Sequence, residues 1–137
     1  MKGLSSDAIT HGLAILYACL AIAAGARSTY QIAVRFDEAP AAVSLSLVAA
    51  LVYLVAFSQL RRRTPGAWWI AVGATSFELV GVVVVGTVSL VSPELFERAT
   101  VWSTYGIGYA FVPLLLPIAG LTWLTGPRAR DHFGVGA

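Results

Sequence analysis

The sequence has few charged residues and a single cysteine. Of its 137 residues, 12% are charged and 58% are hydrophobic, whereas soluble domains carry about 25% charged and about 45–50% apolar residues. This shortage of charge excludes a soluble globular protein, a disordered tail and a nucleic-acid binder. The lone cysteine, Cys19, excludes an intrachain disulfide framework and a cysteine-based zinc cluster. We therefore expect a small integral membrane protein without a cofactor.

The uncharged stretches predict where the chain crosses the membrane. A helix that spans the hydrocarbon core, about 30 Å thick, needs about 20 apolar residues. The sequence has four such stretches, bounded by charged residues, prolines and glycines, and Glu78 is the only carboxylate inside them. It predicts an all-α polytopic protein of one domain, residues 1–137, with neighbouring helices antiparallel. The four spans are predicted near residues 9–33, 41–60, 66–91 and 99–124.

The positions of the basic residues predict the orientation, because Lys and Arg remain mostly on the cytoplasmic side. With a cytoplasmic N-terminus, the outer side has only Arg27, Arg35 and Arg98. The cytoplasmic side then has Lys2, Arg61, Arg62, Arg63, Arg128 and Arg130. We expect a multi-pass protein of the bacterial plasma membrane with both termini in the cytoplasm. The Arg61–Arg63 run is interpreted as a topology anchor, with an anionic-lipid or regulatory patch as the alternative.

The first helix has an alternative interpretation as a signal peptide. Ala24-Gly25-Ala26 follows an apolar run and has the small-residue pattern of a signal-peptidase site. Against cleavage, the segment before that run has an aspartate as well as a lysine. The residues after Ala26 also continue one helical face, with Arg27, Tyr30, Gln31 and Val34. We expect the first helix to be retained.

Glu78 lies near the middle of the third predicted span. A charged side chain there costs on the order of 2.5–3.5 kcal/mol on insertion scales, so it must face other helices, pair or be protonated. The residues three, four and seven positions away are mostly small, which lets another backbone approach closely: Ala71, Ala74, Thr75, Gly81 and Val82. We therefore expect Glu78 to point into the bundle.

Arg27, on the outward half of the first helix, is the natural partner of Glu78. Around the two we expect an intramembrane polar cluster from the first and fourth helices, formed by Tyr30, Gln31, Trp102, Tyr105 and Tyr109. In one interpretation, Glu78 is a proton- or cation-coupling carboxylate in a cavity lined by aromatic rings. In the other, Glu78 and Arg27 form a buried structural pair that sets the helix register. The sequence leaves both open.

Two prolines, Pro113 and Pro117, fall inside the fourth predicted helix. Each removes a backbone hydrogen bond, so the sequence predicts a kink there. Neither His11 nor His132 has further ligand-type side chains at metal-binding spacing, so we expect no metal site. The sequence also has no nucleophile–base pair and no phosphate-binding loop, and we expect no enzymatic activity.

Several stretches of the chain are similar to those of known proteins. They are Gly25-Ala26-Arg27-Ser28 with Gln31, Phe36-Asp37-Glu38-Ala39-Pro40, Phe77-Glu78-Leu79-Val80-Gly81, Thr100-Val101-Trp102-Ser103, Gly106-Ile107-Gly108-Tyr109 and Pro113-Leu114-Leu115-Leu116-Pro117. From Ala14 to about Leu124, the chain resembles a set of small, uncharacterised actinobacterial integral membrane proteins. The resemblance implies a four-helix fold and a membrane location, and it implies no activity.

Two functions are compatible with these features. We expect a non-enzymatic component whose helix faces bind the lipid bilayer, another membrane protein or a second copy of the chain. The alternative is a small proton- or cation-coupled transporter, dimeric, that uses Glu78. Neither function involves nucleic acid.

Overall fold

The structure, a computed structural model, describes residues 5–35, 40–95, 100 and 102–135. All the regular elements in this part of the chain are helices. The α-helices are α1 (Ser6–Arg35), α2 (Pro40–Leu60), α3 (Pro65–Val91), α4 (Val112–Leu124) and α5 (Pro127–His132), and 3-10 helices form at Pro93–Leu95 and Ser103–Tyr109. Two basic residues used to predict the orientation, Lys2 and Arg98, lie outside the described residues.

Helices α1, α2 and α3 are each long and apolar enough to cross a membrane. Their bounds lie within a few residues of the first three predicted spans. Pro65 stands in the first turn of α3, where the missing N–H would have no partner within the helix. Thr64 caps this helix, because its side-chain oxygen accepts a hydrogen bond from the Ala67 backbone N–H at 3.1 Å.

The fourth predicted span, residues 99–124, is wrong as one continuous helix. The chain instead forms the 3-10 helix Ser103–Tyr109 and then α4, and these two helices meet at an angle of 99°. The two helices together pass the length and composition test for a membrane segment, either as one broken span or as a re-entrant loop. The described residues therefore contain three helices of membrane-spanning length, or four if this bent pair is one span.

The break results from residues with left-handed backbone conformations. Thr104, Tyr105 and Gly106 have φ values of 50°, 60° and 84°, and Ala110 and Phe111 have φ values of 56° and 62°. A right-handed helix cannot continue through such residues, and for a residue other than glycine the conformation is unfavourable. The surrounding packing must therefore hold this segment in place.

This break lies before the two prolines at which the sequence predicts a kink. Pro113 stands in the first turn of α4, where its fixed φ and missing N–H are compatible with a helix start. Pro117 lies inside α4. The change of direction occurs before both prolines, at Ala110 and Phe111.

Two glycines of α3 let the 3-10 helix and the residue before it pack closely on that helix. A Cβ atom on Gly81 would lie 2.8 Å from Cη2 of the Trp102 ring. A Cβ atom on Gly86 would clash with the Tyr105 ring and would lie 2.8 Å from the Tyr105 backbone nitrogen. Trp102 and Tyr105 are thus packed on α3 at these two glycines.

Tryptophans join the helices at one end of the molecule. The Trp68 indole N–H donates a hydrogen bond to the Leu124 carbonyl at 2.7 Å, and the Trp123 indole N–H donates to Thr10 Oγ1 at 3.1 Å. The starts of α1 and α3 and the end of α4 therefore meet here. The Arg130 guanidinium lies 5.7 Å from the centre of the Trp68 ring. We call this the arginine-rich end, because the loop between α2 and α3, which contains Arg61, Arg62 and Arg63, also lies here.

The close approach at Gly86 generates a prediction. We expect Gly86→Ala to lower the free energy of unfolding by about 1–3 kcal/mol, because the added methyl group meets backbone that cannot move away freely. Gly73→Ala is the matched control on the same helix, since a Cβ there meets no atom within 4 Å. Unfolding of the purified variants in detergent measures both effects. An equal effect of the two substitutions would contradict the packing described.

Candidate functional site

Four side chains from four parts of the chain form a buried polar core. They are Tyr17 of α1, Tyr53 of α2, Glu78 of α3 and Trp102, which directly precedes the 3-10 helix. The first three are 0% exposed and Trp102 is 2% exposed. The core thus lies where all the long elements of the fold meet.

Small neighbours on each helix make room for this polar core. On α2, Tyr53 is preceded by Ala49 and Ala50 and followed by Ala56, and all three alanines are buried. On α4, Gly120 has no side chain to separate the helices, and a Cβ there would lie 3.8 Å from the Tyr17 hydroxyl oxygen. The two large phenol rings therefore fit between helices that approach closely.

Hydrogen bonds connect the members of the polar core in two pairs. The Tyr17 hydroxyl donates to Glu78 Oε1 at 2.6 Å. The Trp102 indole N–H donates to the Tyr53 hydroxyl oxygen at 2.8 Å. The Tyr17 and Tyr53 rings pack together with their centres 6.1 Å apart. Among the described residues, the second carboxyl oxygen of Glu78, Oε2, has no hydrogen-bond partner.

The surroundings of Glu78 limit what this carboxyl group can do. A single phenol donor compensates little of the cost of removing a charged carboxylate from water. A carboxyl group in such a place is suited to exchanging a proton or a small cation. Tyr17 holds Oε1 in a fixed position, while Oε2 has no bonding partner in the described structure to compete with such a ligand.

The structure does not show the predicted pairing of Glu78 with Arg27. The carboxyl group takes its hydrogen bond from Tyr17, ten residues before Arg27 on α1. At about 1.5 Å per residue, Arg27 lies about 15 Å farther along the helix axis. The register between α1 and α3 thus separates the two side chains.

The other predicted cluster residues do not gather around Glu78. Trp102 joins the polar core, and Tyr109 packs against the buried core. Tyr105 bonds Thr87 instead, with their oxygens 2.9 Å apart. Tyr30 is 56% exposed, whereas Gln31 is buried and its Oε1 has no hydrogen-bond partner in the described part of the chain.

Sequence reasoning missed Tyr17 and Tyr53, which contribute half of the polar core. Both lie in the middle of apolar spans, and each is a large side chain with a hydroxyl group that needs a partner when buried. The alanines around Tyr53 were the available signal, because small neighbours indicate a face that another helix approaches. A tyrosine on such a face is a candidate partner for a buried carboxyl group.

The predicted topology anchors lie in the exposed loop at the arginine-rich end. The Arg61 guanidinium stacks over the Phe57 ring, 5.6 Å from its centre. Arg63 forms an ion pair with Asp7 of α1, with a nitrogen–oxygen distance of 3.3 Å. The Nδ1 atom of His132 of α5 lies 3.6 Å from the same Asp7 oxygen, and the two form an ion pair only when the imidazole is protonated. Arg62 is exposed.

The His132 side chain is only 4% exposed. Its burial, together with the nearby Arg63, lowers the pKa of His132 below its ordinary value, and Asp7 opposes this shift. Since burial penalises the charged imidazolium form, the folded chain binds a proton at His132 less readily than the unfolded chain does.

This pKa shift generates a prediction about stability. Between the folded pKa of His132 and its unfolded pKa, about 6.5, the unfolded chain binds more protons. The His132 contribution to stability is therefore present above this window and is lost as the pH falls through it. Thermal unfolding of the wild type and of His132→Gln, measured in detergent across this range, should show less acid destabilisation in the variant. Identical pH dependence would contradict this account.

Among the described residues, no three His, Cys, Asp or Glu side chains are grouped closely enough to hold a metal ion. No protein-family model matches the chain, and comparisons with curated proteins and with solved structures find no match either. A functional argument therefore starts from the geometry of the polar core.

Proposed function

We propose that this chain is a multi-pass protein of the bacterial plasma membrane, with four antiparallel spans and both termini in the cytoplasm. Three membrane-length helices and the bent pair support four crossings. The short connections support antiparallel neighbours. The arginines of the loop after α2 and of α5 lie at one end, which supports a cytoplasmic location for that end.

The function that the geometry supports best is proton- or cation-coupled transport, with Glu78 as the coupling carboxylate. One observation carries this proposal: Glu78 is fully buried, and Oε2 has no hydrogen-bond partner in the described structure. Ionisable residues inside a membrane are expensive, and they commonly mark ion or substrate pathways. Tyr17 orients the carboxyl group, and the neighbouring aromatic rings suit a cation that is itself aromatic.

The broken fourth span adds support. In many transporters, the substrate and ion sites lie near the middle of the membrane beside discontinuous helices. Here Trp102 contributes to the polar core and directly precedes the segment with left-handed conformations. A change in that segment would move Trp102 and so would alter the surroundings of Tyr53 and Glu78. A chain of this size encloses little space alone, so the transporter acts as a dimer.

The competing structural interpretation has less support. A buried pair of Glu78 and Arg27 would set the helix register by neutralising both charges. The carboxyl group instead bonds Tyr17, and Arg27 lies about 15 Å away along α1 by the helical rise.

Transport by vesicles that contain the purified protein tests the proposed function. We expect an imposed pH gradient to drive uptake of ethidium, an aromatic cation, in wild-type vesicles. Glu78→Gln should lower this uptake to the level of protein-free vesicles, because glutamine cannot exchange a proton. Glu94→Gln is the matched control, since Glu94 is an exposed carboxylate outside the long helices, and it should transport as the wild type does.

Three outcomes would contradict this function. Glu78→Gln vesicles that take up ethidium as fast as the wild type would show that the carboxyl group does not couple ethidium uptake to the pH gradient. Wild-type vesicles no better than protein-free ones would exclude coupled transport of aromatic cations. A Glu78→Gln protein that assembles poorly and is rescued by Arg27→Gln would favour the structural pair.

A second candidate function, binding of another membrane protein or lipid through the helix faces, is favoured by an apolar groove. The groove has a volume of about 340 Å³ and lies between α2 and α3. Gly73 opens it, and the large side chains along it include Leu51, Val55, Ile70 and Phe77. Such a groove fits an apolar helix or an acyl chain.

Filling the groove tests this second function. Gly73→Leu should remove a co-purifying partner or lipid, as measured by native mass spectrometry in mild detergent, because the added side chain occupies the groove. Gly25→Leu is the control on α1, where the position is likewise open. Unchanged binding in Gly73→Leu would contradict a role for the groove.

A further inference from the structure

A second cavity lies far from Glu78, at the arginine-rich end. It is a cleft of about 450 Å³ between the start of α1, the end of α2 and α5. This volume lies in the range of ligand pockets, about 300–1,000 Å³. Its charged and polar lining includes Asp7, His11, Arg61, Arg63 and His132. We call it the interfacial cleft, because it opens where the long apolar helices end.

The charges that line the interfacial cleft favour an anion. The described residues that line it include two guanidinium groups and one carboxylate, and this carboxylate is already paired with Arg63. The second guanidinium, on Arg61, lies over the Phe57 ring. The start of α1 adds the partial positive charge of a helix N-terminus. A cation in this cleft would be repelled by most of these groups.

A buried polar atom also lines the cleft. The His132 side chain is 4% exposed, and among the described residues its Nδ1 has no hydrogen-bond partner. Asp7, at 3.6 Å, is beyond hydrogen-bonding distance of this nitrogen. An unsatisfied buried polar group in a native protein needs an explanation, and a bound ligand is one.

The apolar part of the lining distinguishes a lipid from a free anion. Ala8, Ala14 and Leu60 line the cleft beside the charged groups, and Leu60 is the last residue of α2. A free phosphate ion would make no use of these apolar groups. A phospholipid presents a phosphate to the arginines and its glycerol and acyl carbons to the alanines and the leucine.

We propose that the interfacial cleft binds one anionic phospholipid, with Arg61 and Arg63 contacting its phosphate. This site is separate from Glu78 and does not depend on the transport function. Arg62 lies between these two arginines and does not line the cleft. The cleft therefore differs from a diffuse basic patch, in which all three arginines would contribute equally.

Native mass spectrometry of the purified full chain, titrated with phosphatidylglycerol or with phosphatidylcholine, tests this proposal. We expect one tightly bound phosphatidylglycerol and weaker binding of phosphatidylcholine. Arg61→Gln and Arg63→Gln should each weaken phosphatidylglycerol binding about fivefold, the usual contribution of one basic residue near a membrane surface. Arg62→Gln is the matched control and should weaken binding less than either of these substitutions, because Arg62 does not line the cleft.

Asp7→Asn separates lipid binding from a folding defect. This variant breaks the same ion pair as Arg63→Gln, yet it removes the one carboxylate among the described residues that line the cleft, so it should bind phosphatidylglycerol more tightly. Equal weakening by all three arginine substitutions, or equal binding of the two lipids, would overturn the proposal. Displacement of phosphatidylglycerol by millimolar inorganic phosphate would also overturn it, in favour of a free-anion site. Glu78→Gln should bind the lipid as the wild type does.

Discussion

The hydrogen bond from Tyr17 to Glu78 is the interaction around which the structure is organised. In the membrane interior, water does not satisfy a buried carboxyl group, so the protein must supply what the group bonds. Here the hydrogen-bond donor is the phenol group of Tyr17 on α1, with an oxygen–oxygen distance of 2.6 Å. That hydrogen bond fixes the position of α1 along the axis of α3. Tyr53 of α2 packs on Tyr17 and accepts a hydrogen bond from Trp102. Tyr53 therefore links α2 and the start of the broken segment to the Tyr17–Glu78 pair.

Small residues let the helices approach closely around this core. Gly81 and Gly86 receive the Trp102 and Tyr105 rings, and Gly120 brings α4 near Tyr17. These close approaches bury the polar core, while one carboxyl oxygen of Glu78 is left without a hydrogen bond in the described structure. A purely structural carboxyl group would be more stable with both oxygens satisfied. The arrangement therefore favours a group that exchanges a ligand.

Much of this architecture was predictable from residue patterns, and the reasons for the remainder are physical. Charges and prolines delimit α1 to α3, and the small residues around Glu78 indicate its burial. The break before α4 was not predictable, because Thr104, Tyr105 and Phe111 adopt left-handed conformations that only tertiary packing imposes. The choice of Tyr17 over Arg27 depends on how far α1 is shifted along α3. A pattern of faces identifies which sides of two helices meet, and it does not determine that shift.

The central claim is that Glu78 exchanges a proton with the surrounding medium even though it is fully buried. Infrared difference spectroscopy of the purified protein measures this exchange directly, through the carbonyl-stretch band of a protonated carboxyl group. Our account predicts a band that appears and disappears as the pH of the medium is changed, is shifted by Tyr17→Phe and is absent from Glu78→Gln. Wild-type and Glu78→Gln spectra that respond identically to pH would contradict it, because Glu78 would then be a sealed structural group.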